Sequence, residues 1–152
     1  YKRQDFILSN TDRHYNNFGF LYHLQLHRLV KMAPVFDTGN SLFYNKEIIP
    51  QGSNLLDVTV NSFKKKEVSL LEYVSKSDLV GIGKLESFPK EVYNLLTYNT
   101  DMPDERAKSI SGTVQQKLEY LKLFQQGKKI WKKENRFLIR QLRIITIKHA
   151  GW

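Results

Sequence analysis

The sequence predicts a mainly α-helical domain carrying one small β-hairpin, and three observations predict it. Beyond residue 69 the apolar residues recur at spacings of three and four, which places them on one stripe of a helix. Near the start, residues 18–22 and 24–30 are two short runs rich in aromatic and aliphatic side chains, close enough to pair as a hairpin. The length of 152 residues and the 41% hydrophobic content suit a single domain with a real core.

Each element follows in order. Residues 1–8, ending in Phe6, Ile7 and Leu8, read as the tail of a helix cut into midway, and with no initiator methionine the chain is expected to be a fragment. Ser9-Asn10-Thr11-Asp12 stops that helix with turn-forming types. The hairpin should turn near His23, Pro34 should end regular structure, and Asp37-Thr38-Gly39-Asn40-Ser41 forms a second turn-rich loop, with Gly39 freeing the backbone. Residues 44–66 show no convincing period and are expected to form a long, partly mobile excursion. Ser69 is the predicted cap of a helix over 70–74 with Glu72 at the capping-box spacing, and Pro89 opens a helix over 90–96. Asp101, Asp104 and Glu105 mark a helix start, since acidic side chains favour the positive end of the helix dipole. That helix should run through Val114, Leu118, Leu121 and Phe124, with a break near Gly112 and a stop at Gly127. Ile130, Phe137, Leu138, Gln141, Leu142 and Ile145 repeat the pattern in a basic segment.

Composition narrows the function classes. No run approaches the ~18 apolar residues of a membrane span, and the first residues lack the apolar core of a signal peptide, so a cytoplasmic protein is expected. The absence of cysteine excludes disulfides, thiolate zinc sites and thiol catalysis, and leaves oxygen or imidazole to hold any metal. The net charge of +9 is uneven: residues 128–148 hold eight cations against the single anion Glu134. Two readings of that segment stay open, a solvated helix face whose lysines cover apolar surface, or an electrostatic contact with nucleic acid or an acidic partner.

The residues with the most chemical content are Asn10-Thr11-Asp12-Arg13-His14-Tyr15-Asn16-Asn17-Phe18-Gly19, followed by Val35-Phe36-Asp37-Thr38-Gly39. An Asp, an Asn five residues later, and an Asp-x-Gly beyond a short hairpin have the order and spacing that phosphoryl transfer to a hydroxyl uses. A carboxylate such as Asp12 orients the hydroxyl and takes its proton, while Asp37 and the amide oxygen of Asn17 offer magnesium the hard ligands it prefers. Asp-Arg-His alone is usually a cap or a surface turn, so the spaced combination carries the signal. Other candidates carry less. His23 and His27 lie in a hairpin without a third ligand, Phe18, Phe20, Phe36 and Phe43 are expected in the core, and Gly81-Ile82-Gly83-Lys84 reads as a turn.

Those two motifs, the second extended as Met32-Ala33-Pro34-Val35-Phe36-Asp37-Thr38-Gly39-Asn40-Ser41-Leu42, resemble the carboxy-terminal lobe of the HipA-like serine/threonine kinases, which are bacterial and often toxin components. The resemblance is dense over residues 9–43 and only general beyond residue 44. It implies that residues 1–152 are a kinase-like C-lobe helical bundle without its N-terminal lobe, with 128–148 as a basic helix within it. It further implies Asp12 as the catalytic base, Asn17 and Asp37 as magnesium ligands, and His14 and Phe36 beside the nucleotide, His14 alternatively ordering the loop. ATP and Mg2+ would be the cofactors, a protein Ser or Thr hydroxyl the acceptor, and an antitoxin or regulatory protein a partner. The sequence departs from the common kinase pattern in three ways. His14 and Arg13 follow the Asp instead of preceding it, Thr38 replaces the usual Phe, and no Gly-x-Gly-x-x-Gly run with a strand lysine is present. The isolated chain is therefore expected to be inactive. The alternative is a non-catalytic nucleic-acid-binding or regulatory protein on a kinase-like scaffold, with Lys128 to Lys148 contacting nucleic acid.

Overall fold

The computed structural model describes residues 2–74, 81–98 and 101–132. They are mainly helical with a two-stranded antiparallel hairpin: α1 (Lys2–Leu8), β1 (Phe20–His23), β2 (Arg28–Met32), α2 (Phe88–Thr97) and α3 (Asp104–Gln125). Short 3-10 helices at Tyr15–Asn17, Gly52–Asp57, Glu67–Tyr73 and Ile82–Leu85 join them, the last covering the Gly81 to Lys84 turn.

The long helix α3 organises the rest. Asp104 and Glu105 occupy its first turn, and the predicted stripe of Val114, Leu118, Leu121 and Phe124 is buried, extended toward the start of the helix by Ala107 and Ile110. No break occurs at Gly112, because burial on both sides outweighs the roughly 1 kcal/mol propensity cost of one glycine. Gly127, in the left-handed region at φ 83°, ends the helix as a C-terminal glycine does, its N–H donating to the Phe124 carbonyl at 3.0 Å. The next residues, 128–132, run as turns with Ile130 fully buried, and the remainder of the expected basic helix lies outside the described residues. Against α3 packs α2, with Pro89 in its first turn and its carbonyl accepting from Ser111 Oγ at 2.8 Å. Phe6 and Ile7 of α1 join the same core.

Residues 44–66 are more ordered than their sequence suggests. Ile49, Leu55 and Leu56 are buried in the core, and Thr59 bridges Lys66. Side chains of α3 supply what regular structure does not: the Gly52 N–H donates to Gln116 Oε1 at 2.7 Å, and Tyr120 donates to the Gly52 carbonyl at 2.9 Å. Buried backbone groups must find partners, and here they find them on a neighbouring helix. A six-residue 3-10 helix with two leucines leaves too short a pattern to read as a period.

Three further expectations are corrected. Ser69 is not a cap: the 3-10 helix begins at Glu67, which is anchored by a buried ion pair, and Glu72 instead pairs with Lys64 at 3.1 Å. The hairpin turn covers residues 24–27, and a register shift lies between Leu21 and Tyr22. Phe43 is buried and Phe18 half-buried, but Phe20 and Phe36 are 58% and 42% exposed and belong to no core. Among the described residues, no helix is long and apolar enough to cross a membrane.

Candidate functional site

The Asp12 loop is built around a buried guanidinium. Arg13 is fully buried and pairs with buried Asp5 of α1, its Nε 3.1 Å and Nη2 3.0 Å from Asp5 Oδ1. From there Nη1 donates to the Phe36 carbonyl at 2.7 Å and to the Asn17 carbonyl at 3.3 Å. One planar group thus ties the end of α1, the Asp12 loop and the segment after β2 together. Asn10 adds two struts, its Nδ2 donating to Asp5 at 3.1 Å and its Oδ1 accepting the Asp12 N–H at 3.2 Å.

That frame carries two groups, Asp12 with Asn40 and Asn61, and Asn17 with Asp37. The Asp12 carboxylate is half-buried and takes a hydrogen bond on each oxygen, from Asn40 Nδ2 and from Asn61 Nδ2, both at 2.9 Å. Lone pairs remain on both oxygens, so the group can still accept a proton. Asn17 is buried, and its Nδ2 donates to the carboxylate of exposed Asp37. His14 donates its backbone N–H to Asn17 Oδ1 at 3.0 Å, which is a loop-ordering contact. Phe36 contributes its carbonyl to Arg13, while its ring is partly exposed.

The backbone at Asp37 is left-handed, with φ 55°. Asp tolerates that region through local hydrogen bonding, so the freedom expected of Gly39 is exercised by the carboxylate residue itself. Leu42 and Phe43 also sit there, at φ 55° and 56°, where bulky side chains are strained. Arg106 of α3 holds this turn, donating to the carbonyls of Phe43 at 2.9 Å and Lys46 at 2.7 Å.

Beneath the loop lies a second buried charge pair. Lys117 Nζ donates to Glu67 Oε2 and to Ser9 Oγ, each at 2.5 Å, with both charged side chains fully buried. Burial pushes the Glu67 carboxyl up to about 7, outweighing the opposing pull of Lys117, and burial lowers the Lys117 ammonium. Glu67 Oε1 has no hydrogen-bond partner among the described residues.

The donor set bears on whether magnesium fits. Asp37 is exposed and one of its oxygens receives Asn17, leaving the other open among the described residues. Asn17 turns its nitrogen, not its oxygen, toward Asp37, because the oxygen is fixed by the His14 N–H. It would ligate a shared cation only after its amide turns over. No three His, Asp or Glu side chains converge among the described residues, so a cation at Asp37 would need phosphate and water to complete its shell.

Arg13, Asn40 and Asn61 escaped the sequence reading as functional residues. Arg13 had a usable signal, an arginine set inside the loop eight residues after Asp5. Asn40 stood in the second loop but looked like a turn residue, and Asn61 gave no signal at all. Comparison of the chain with protein-family models, with curated proteins and with solved structures finds no match.

Proposed function

We propose that the chain is the carboxy-terminal, catalytic lobe of an ATP- and magnesium-dependent serine/threonine kinase of the HipA-like type. The observation that carries this reading is that one frame, set by Arg13, holds both the Asp12 carboxylate with Asn40 and Asn61 and the Asn17–Asp37 pair. In the transfer step the acceptor hydroxyl oxygen bonds to the γ-phosphorus as the bond to the β–γ bridging oxygen breaks, ADP leaves, and the hydroxyl proton passes to Asp12. Asn40 and Asn61 keep that carboxylate aimed, so little reorientation is needed when the hydroxyl arrives. Asp37 would hold Mg2+, with Asn17 joining after its amide turns, and the ion when bound neutralises charge on the phosphates. The glycine-rich cover and strand lysine that the reading requires are not in these 152 residues, so the chain by itself is predicted not to turn over ATP.

The test is transfer from ATP to a Ser/Thr protein acceptor, measured with the chain joined to a lobe that supplies those parts. Asp12→Asn keeps the shape but removes the proton acceptor, and it should lower transfer by about 10²-fold or more. Asp37→Asn should move the magnesium requirement upward. Undiminished transfer by the Asp12 variant would falsify the assignment of the base.

A further inference from the structure

Beside the Asp12 loop opens a cavity of about 650 Å³ whose walls include Tyr15, Phe18, Phe63 and Tyr73. Volumes of this order are typical of ligand sites. Its walls are mostly aromatic, yet it holds two polar groups with nothing to bond. Lys2 Nζ lies 3.6 Å from the centroid of the Phe63 ring, 5.6 Å from that of Phe18 and 5.9 Å from that of Tyr73. That ammonium is out of water and has no hydrogen-bond acceptor among the described residues, and Ser62 Oγ is in the same condition. Aromatic faces attract a cation, but they leave its three N–H donors largely unanswered. Asp5, the acid nearest in sequence, is committed to Arg13 and Asn10. Burial accordingly lowers the pKa of Lys2 despite the pull of Asp5.

Position adds to chemistry. Asn61 lines the cavity and also donates to Asp12, so the cavity and the proposed base share a wall. His14 lines it too. A polypeptide that brings a hydroxyl to Asp12 would lay an adjacent side chain into this space.

We propose that the cavity is an acceptor-side subsite for an acidic side chain, glutamate, adjoining the Ser or Thr to be phosphorylated, with the carboxylate on Lys2 Nζ and the methylene stem against Phe63 and Phe18. Ser62 Oγ is a second donor in the same cavity. The proposal rests on the kinase reading for the role of the bound peptide, and not for the binding itself.

The experiment needs no ATP. The ¹⁵N-labelled chain is titrated with acetyl-Ser-Glu-amide and with acetyl-Ser-Gln-amide, following the amide signals of Asn61, Ser62, Phe63 and Tyr73. The glutamate peptide should bind about tenfold more tightly, the factor expected when one buried charge-assisted hydrogen bond is gained. Lys2→Met keeps a flexible stem on the rings and should bring the two peptides to equal affinity, whereas Lys2→Arg should preserve the difference. Added salt should weaken the glutamate peptide selectively in the unsubstituted chain, a readout that survives if a variant folds poorly. Equal affinities at low salt, or a preference that persists in Lys2→Met, would overturn the subsite and leave Asp12 untouched. Failure of phosphoryl transfer in the earlier test would instead remove the kinase reading and leave the carboxylate preference standing.

Discussion

The Asp12 loop and the β-hairpin adjoin each other in sequence, and they solve opposite problems. The loop has little apolar material and is held by buried polar groups: Arg13 answers Asp5, Asn17 and Phe36 at once. In the hairpin the apolar material faces outward, with Phe20, Tyr22, Leu24, Leu26, Leu29 and Val30 each at least half exposed. Polar networks fix a geometry because every member must be satisfied, whereas exposed apolar surface fixes nothing until something covers it. A site whose chemistry depends on placing a carboxylate to within an ångström belongs on the first kind of structure.

That contrast can be broken first at Arg13. Arg13→Ala leaves Asp5 as a buried, unpaired carboxylate and should cost about 3 to 5 kcal/mol, read from urea unfolding. A loss under about 1 kcal/mol would mean that the loop is held by something else. Lys117→Met should cost about 3 kcal/mol for the same reason, and adding Glu67→Leu should recover most of it, since a buried pair is often replaceable by apolar side chains.

A pH series sharpens the comparison. Glu67 titrates at about 7 in the folded chain against an ordinary 4.5, so the folded state binds its proton more tightly. Its contribution to stability is therefore full below about 4.5 and is lost as pH rises through about 7. Lys117, lowered by burial, acts in the other sense, contributing above its ordinary 10.5 and losing that as pH falls. Urea midpoints between pH 4.5 and 8 should decline for the unsubstituted chain, and Glu67→Gln should remove the part of that decline that belongs to the carboxyl.

The smaller effects run the other way. Gly112→Ala should stabilise by about 0.5 to 1 kcal/mol, because the added methyl meets nothing within 4 Å in the middle of a helix. In the hairpin, Leu29→Thr should change stability by no more than about 0.5 kcal/mol while reducing binding of an apolar dye. A large loss there would show that the hairpin is part of the core after all.

Legibility in the sequence followed the range of the interactions. The helix from Asp104 to Gln125 was readable because its stripe repeats over many turns and its ends carry acidic residues and a glycine. The motif around Asp12 was readable because its spacing is short. What was not readable depends on contacts across long separations: Asn61 reaches Asp12 over 49 residues, and Lys117 reaches Ser9 over 108. Nothing local marks an asparagine as the partner of a distant carboxylate. Phe20 misled for the converse reason, since residue type alone does not say which face of a hairpin is covered.

Along α3, polar side chains reach out at successive turns. Arg106 grips the strained turn, Ser109 and Thr113 accept from Gln51, Gln116 takes the Gly52 N–H, Lys117 reaches Ser9 and Tyr120 returns to Gly52. The helix works as an indexed spindle whose teeth engage three parts of the chain, the turn at Phe43, the Gln51–Gly52 step and Ser9. Removing one residue near Gly112 would turn every later tooth by 100° and draw it back 1.5 Å, disengaging Lys117 and Tyr120 while Arg106 stays seated. Point changes on this helix are therefore local in effect, but a change in its length is read simultaneously by the segment that ends α1 and by the one that begins at Gln51.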